Sequence, residues 1–434
     1  MQLDNLALVG GEPVCQIDSP HYVWPRVTPA MKNAVLEQMD DSLSLYNRSG
    51  VIATFEDVFA NYHGKKHALL NNSGTNSIHA AAIALGLRPG DEVIVPVYTF
   101  FATASPLMFL GVKPIFCDCG LDGNLDPYKL ESLITTKTKA VMVTHMWGIP
   151  CQMDRIKSIC DASGLSLVED CSHAHGAEFD GKKVGTFGSI GIWSLQGQKI
   201  VTGGEGGVLV TDDSDLFSRA LLTGHYNKRC KDEISRTHEL ADFSVTGFGL
   251  KHRSHPLAVA IALEQFQHLD EWIAQKTKYA ALFDNVIQEF PFLKAPLYDA
   301  HRQKPAWYAY VFHFHQELAN DVSIDQFEKA LKAEGLRELD RPGSTCPLHA
   351  FPLFLQPERA FPGLYEKDAM KGRNNESFAV AELYYQSALK LPVWAFADER
   401  EIVEQYVSGI RKVSQWVMQD PEVFREDMKT AVGG

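Results

Sequence analysis

Between Lys66 and Asp212 the chain alternates short apolar runs with stretches of helical periodicity, and few folds satisfy that pattern. The expected strands are His67–Leu70, Glu92–Pro96, Lys113–Asp118, Ala140–His145, Leu165–Asp170, Ile190–Leu195 and Gly207–Thr211. Between them the spacing predicts helices over Thr75–Leu87, Thr99–Leu110, Pro127–Ile134 and Met153–Ser163. The strand runs are continuously apolar rather than alternating, as expected when helices cover both faces of a sheet. The expectation is an α/β chain with a mostly parallel, doubly wound central sheet. In such sheets ligands bind beyond the carboxyl ends of the strands, so the turns that follow the strands are where chemistry is sought.

Residues 1–30 are punctuated by Gly10, Gly11, Pro13, Pro20, Pro25 and Pro29. They read as an extended arm that packs on a neighbouring domain or subunit. A large α/β domain is expected over 31–287, with helices between Leu257 and Ile287 bridging to a smaller C-terminal α+β domain over 288–434. There Trp307–Phe314 reads as a strand, Ser323 opens a helix through a capping box with Gln326, and Arg341–Gly363 reads as a loop. Glu399–Met418 reads as an amphipathic helix. A chain of 434 residues that is 45% hydrophobic can bury cores of that size. Its net charge of −13, without a polybasic run, argues against nucleic acid or an anionic membrane as partner. No signal peptide opens the chain and no apolar run reaches transmembrane length, so a soluble, cytoplasmic protein with eight reduced cysteines is expected.

Lys199 is the residue that points to a chemistry. It follows the apolar run Ile190–Leu195 and precedes Thr202–Gly207, a glycine-dense turn whose backbone can approach a ligand closely. Alone, a lysine at a strand end is ordinarily a solvated charge, and an aspartate there is ordinarily a helix cap. Asp170 ends the run Leu165–Asp170 at the ligand-binding edge of the sheet, and the two together suggest more. An amine nucleophile plus a carboxylate that keeps a pyridine nitrogen protonated is what pyridoxal phosphate (PLP) requires of a protein. Partial burial of Lys199 would lower its pKa and supply a neutral amine.

Other residues fit around this pair. Ser73–Thr75 opens a helix directly after a strand, so the free N–H groups of Gly74 and Thr75 form an anion site, with an ordinary cap by Ser73 as the alternative. Ser194 and Gln196 offer further phosphate donors. Phe100 lies in the aromatic turn Pro96–Phe101, where rings usually pack in a core, and is the ring best placed to cover a cofactor face. His173 is expected on or beside the cofactor ring. His173 and His175 lack a third ligand nearby, so no metal is expected. Gly185, Gly188 and Gly191 lack the strand-to-helix context of a dinucleotide loop.

Taken together, Gly10–Pro13, Phe55-Glu56, Ser73–Thr75, Gly90–Pro96, His145, Glu169-Asp170, His175–Ala177, Gly203–Gly207 and Leu391-Pro392 resemble the DegT/DnrJ/StrS family. Its members are PLP-dependent aminotransferases of keto-sugars and keto-cyclitols. The Gly-Gly-Glu-Pro opening and Ser194–Lys199 resemble the branch holding glutamine:scyllo-inosose aminotransferases and aminohydroxybenzoate synthases. The resemblance implies a fold-type-I aminotransferase acting as a homodimer with shared active sites. It implies that Lys199 forms the Schiff base with PLP, that Asp170 pairs with the pyridine nitrogen, and that Gly74, Thr75, Ser194 and Gln196 bind the phosphate. Phe100 would stack on the ring, and His173 stands where many members carry glutamine. Lys251–Arg253 replaces a more usual Asn-Tyr-Arg-like motif, so Lys251 is expected to reach the phosphate of the neighbouring subunit. Pro347–His349 resembles a Pro-x-Leu-His loop that places His349 near the substrate.

The implied activity moves an amino group from glutamate or glutamine to a keto-sugar or keto-cyclitol. One alternative is a PLP-dependent dehydrating, aromatising enzyme of the aminohydroxybenzoate synthase type. Another is a non-catalytic PLP-binding protein, against which Lys199 and Asp170 argue. Lys199 also separates the chain from the family's dehydratases, which carry histidine there.

Overall fold

The computed structural model describes residues 5–18, 20–370 and 377–424. Residues 1–4 of the expected arm and 425–434 of the expected C-terminal domain lie outside them. Among the described residues the central sheet has seven strands: β1 (His67–Asn71), β2 (Glu92–Pro96), β3 (Lys113–Cys117), β4 (Thr138–Thr144), β5 (Ser166–Asp170), β6 (Ile190–Ser194) and β7 (Gly207–Thr211). Their order is β1-β7-β6-β5-β4-β2-β3. Neighbours from β3 to β6 run parallel, while β7 runs against both β6 and β1.

The continuous apolar runs are explained by parity. Val93, Val95, Ala140, Met142 and Val168 pack with Ile78 and Ala81 of α1 (Gly74–Ala84) and, further along, with Leu221 of a helix over Ser214–Gly224. Their sequence neighbours Ile94, Val141, Val143 and Leu167 pack on the other face with Ile156 and Cys160 of a helix over Met153–Ala162. Successive side chains point to opposite faces, so helices on both sides demand that every position be apolar.

A second core joins α2 (Leu269–Gln288), a sheet of β8 (Leu293–Lys294), β9 (Tyr310–Phe314) and β10 (Ala388–Leu391), and α3 (Arg400–Gln419). The capping box forms as the sequence predicts, with Ser323 Oγ accepting from Gln326 N–H and Gln326 Oε1 accepting from Ser323 N–H. The N-terminal arm packs on this core through Leu6 and Cys15, and the Glu334 carboxylate accepts from Ala7 and Val14 N–H.

Three local readings change. Thr99–Leu110 is not one helix: Tyr98–Phe100 is extended, a 3₁₀ turn follows at Phe101–Thr103, and a short helix covers Ser105–Met108. The reason is a distant partner, because Thr345–Pro347 pairs antiparallel with Tyr98–Phe100. The expected loop Arg341–Gly363 therefore contains a strand, and also short helices over Pro352–Leu355 and Pro357–Ala360. The strand expected from Trp307 begins only at Tyr310, since Trp307 is left-handed (φ 58°) and Tyr308 N–H donates to the Trp147 carbonyl. All eight cysteines are buried and unpaired. No helix of the described residues is long and apolar enough to cross a membrane.

Candidate active site

The carboxyl ends of β4, β5 and β6 open onto a cavity of about 350 Å³, walled by Thr144, Asp170 and Ser194 among others. Asp170 sits opposite Thr144 in the β4–β5 register. Both of its carboxylate oxygens are held: Oδ2 accepts from Thr103 Oγ1 at 2.8 Å, and Oδ1 accepts from Ser172 N–H at 3.0 Å. The Thr99, Thr103 and Thr144 hydroxyls are linked at 3.0–3.2 Å, so a small buried network fixes the acid's orientation.

Lys199 enters from the turn after β6, where its N–H donates to the Gln196 carbonyl. Burial pushes its amine down to about 8, against the opposing pull of the Asp170 charge. Its Nζ lies 4.6 Å from the centre of the Tyr308 ring. That ring stacks on His173 at 4.0 Å and 8°, with Trp147 near-parallel to His173 at 5.6 Å. Burial holds His173 well below the ordinary imidazole value, and the Lys199 charge adds to the effect. The imidazole is thus neutral, and its Nδ1 is buried without a hydrogen-bond partner among the described residues.

The start of α1 supplies the third element. Ser73 Oγ accepts from Asn76 N–H, leaving the first-turn N–H groups of Gly74 and Thr75 without helical acceptors. This terminus touches the sheet backbone to backbone. A Cβ on Gly207 would lie 2.3 Å from the Ser73 carbonyl oxygen, and one on Gly74 would lie 2.9 Å from Ser194 Cβ. Two glycines therefore allow a helix N-terminus, with its partial positive charge, to meet Ser194 at the cavity wall.

Beneath the cavity, Glu169 is fully buried, and its carboxylate accepts from Gly185, Phe187 and Gly188 N–H, each at 2.7 Å. His145 Nε2 approaches the same carboxylate at 3.4 Å. Gly185 and Gly188 thus serve to fold a loop around Glu169 next to Asp170.

The structure brings Gly74, Thr75, Phe100, Asp170, His173, Ser194, Gln196 and Lys199 into one wall. Lys251 is exposed and lies outside it. His349 is also outside, with Nε2 3.0 Å from Glu382. Pairing of Thr345–Pro347 with Tyr98–Phe100 turns the chain so that Ser344 and Thr345, rather than His349, line the cavity. Sequence reasoning missed Thr103, Thr144, Trp147, Glu205, Tyr308 and Lys390. Thr144, at the end of an apolar strand, had the same positional signal as Asp170; Tyr308 and Lys390 come from the C-terminal half and had none.

The donor set fits pyridoxal phosphate: a desolvated amine, an anchored carboxylate, a flat neutral imidazole and an anion-binding helix start share one cavity. The DegT/DnrJ/EryC1/StrS aminotransferase family model matches residues 29–407. A putative L-glutamine:3-amino-2,3-dideoxy-scyllo-inosose aminotransferase of Micromonospora echinospora is 31% identical over 370 residues, 84% of this chain and 85% of that protein. GDP-perosamine synthase of Caulobacter vibrioides is 36% identical over 262 residues, 60% of this chain and 68% of that one. Among solved structures, the aminotransferase from Psychrobacter cryohalolentis matches with a TM-score of 0.81 at 25% identity, covering 92% of this chain and 100% of that chain. The chain belongs to the DegT/DnrJ/EryC1/StrS aminotransferase family.

Proposed function

We propose that this cavity holds PLP and that the enzyme moves an amino group from L-glutamine or L-glutamate to a ketone on a keto-cyclitol or keto-sugar. The observation that carries the reading is the presence of Lys199 and Asp170 on one wall, the amine lowered to about 8 by burial. When bound, PLP supplies an aldehyde for covalent capture of amines and a ring that withdraws electrons. Lys199 Nζ would hold the cofactor covalently between turnovers and, once displaced as a free neutral amine, would move the proton in each half-reaction. Asp170, fixed by Thr103 and Ser172, would hold a proton on the ring nitrogen. Gly74, Thr75, Ser194 and Gln196 would bind the phosphate, with Phe100 and His173 about the ring. The amino-donor class and the ketone class follow the glutamine:inosose aminotransferase and GDP-perosamine synthase relatives. We assign the enzyme to the cytoplasm and to a homodimer in which Lys251 serves the neighbouring subunit's phosphate.

Absorbance of the PLP-incubated protein tests this directly. A visible band that moves to shorter wavelength on adding L-glutamine or L-glutamate is expected, with turnover abolished in Lys199→Ala. No band after incubation would overturn the cofactor assignment. A band that neither donor changes would overturn the donor assignment.

A further inference from the structure

Strand β10 reads Ala-Leu-Lys-Leu, and among its residues only Lys390 is not buried. Leu389 and Leu391 enter the second core, whereas Ala388 packs with the core of the central sheet. The two-residue period sends Lys390 to the same side as Ala388, and there its side chain forms part of the cavity wall. Placing a cation in an otherwise buried strand costs stability unless an anion offsets it. The anion within the fold is a weak one. Lys390 Nζ lies 3.4 Å from Asp340 Oδ2, whose side chain is 64% exposed, so water screens the pair.

The charges around the cavity set Lys390 apart. Among the described residues, the wall contains the acids Asp170 and Glu205 and the amines Lys199 and Lys390. In the functional reading above, Asp170 and Lys199 are engaged with the cofactor. His173, held neutral by its burial, offers no charge. His349 and Lys251 lie outside. Among this chain's described residues, Lys390 is therefore the cation left for an anionic group on whatever enters.

We propose that Lys390 is a specificity-determining residue that binds the carboxylate of the amino donor. The proposal rests on the aminotransferase reading, in which donor and ketone occupy the same cavity in turn. A carboxylate on the ketone would offer the same chemistry, so the test separates the two sources.

The PLP-loaded wild type, Lys390→Gln and Lys390→Arg are titrated calorimetrically with glutarate, which has the donor's carbon skeleton without its amine. The expected result is a loss of about tenfold or more in glutarate affinity for Lys390→Gln, with Lys390→Arg within about threefold of wild type. KM for L-glutamine or L-glutamate, whichever is the donor, should rise in Lys390→Gln with kcat largely kept. Wild-type glutarate affinity in a folded, PLP-loaded Lys390→Gln variant would overturn the proposal. A KM increase confined to the keto acceptor would also overturn it and assign the contact to an acceptor carboxylate. Failure of the wild type itself to take up PLP would instead overturn the functional reading.

Discussion

The indole N–H of Trp24 donates to the backbone carbonyl of Lys199 at 2.8 Å, so the N-terminal arm holds the turn that carries Lys199. The Trp24 ring is in turn set edge-on against Trp272 at 5.0 Å. Trp24→Phe keeps an aromatic ring and removes the donor. The expected cost is about 1 kcal/mol of stability together with a several-fold fall in kcat. Chemical denaturation and steady-state kinetics check it; unchanged kcat would show that the arm does not position Lys199.

Gly207 sets how closely α1 approaches the sheet. A methyl group there meets backbone atoms of Ser73 and Gly74 at 2.3–2.6 Å, which no side-chain rotation relieves. Gly207→Ala should displace the Gly74–Thr75 anion site and weaken PLP binding by about tenfold or more, read by fluorescence titration of the apoprotein. Inorganic phosphate should compete less well in the variant than in the wild type.

Glu169 folds its loop through charge-assisted bonds. Glu169→Gln replaces one acceptor oxygen with an amide N–H₂ that faces backbone donors now bound at 2.7 Å. The expected destabilisation is about 2–4 kcal/mol in urea unfolding, with Asp170 loosened as the neighbouring residue.

Lys276 predicts a pH dependence unrelated to the cavity. It is fully buried, its Nζ donates to the Val393 carbonyl at 2.5 Å, and burial pushes it down to about 7 while Glu399 pulls the other way. The unfolded value is about 10.4, so between the two the unfolded chain binds a proton that the folded chain lacks. Stability therefore rises with pH through that window, and the cost of the buried charge is present in full below about 7. Lys276→Met should show a more favourable change in Tm relative to wild type at pH 6 than at pH 9.

The seven strands of the central sheet were legible because helices on both faces force continuous apolar runs, a pattern written locally in each strand. Lys199, Asp170 and the Gly74–Thr75 helix start were legible for a similar reason: each follows an apolar strand and precedes a turn, and ligands gather at such ends. The expected helix over Thr99–Leu110 failed because Tyr98–Phe100 takes its backbone partner from Thr345–Pro347, and no local period reports a partner so far along the chain.

By itself, then, the sequence determined the α/β sheet and put Lys199 and Asp170 at strand ends, because the two-sided burial of each strand is written in its own apolar run. Only the tertiary structure decided that Thr103 anchors Asp170, that Tyr308 covers His173, that Lys390 faces the cavity and that His349 does not. The first joins a turn to a strand 67 residues further on, and the others bring the C-terminal half against the sheet, so each depends on packing between distant segments that no local period reports.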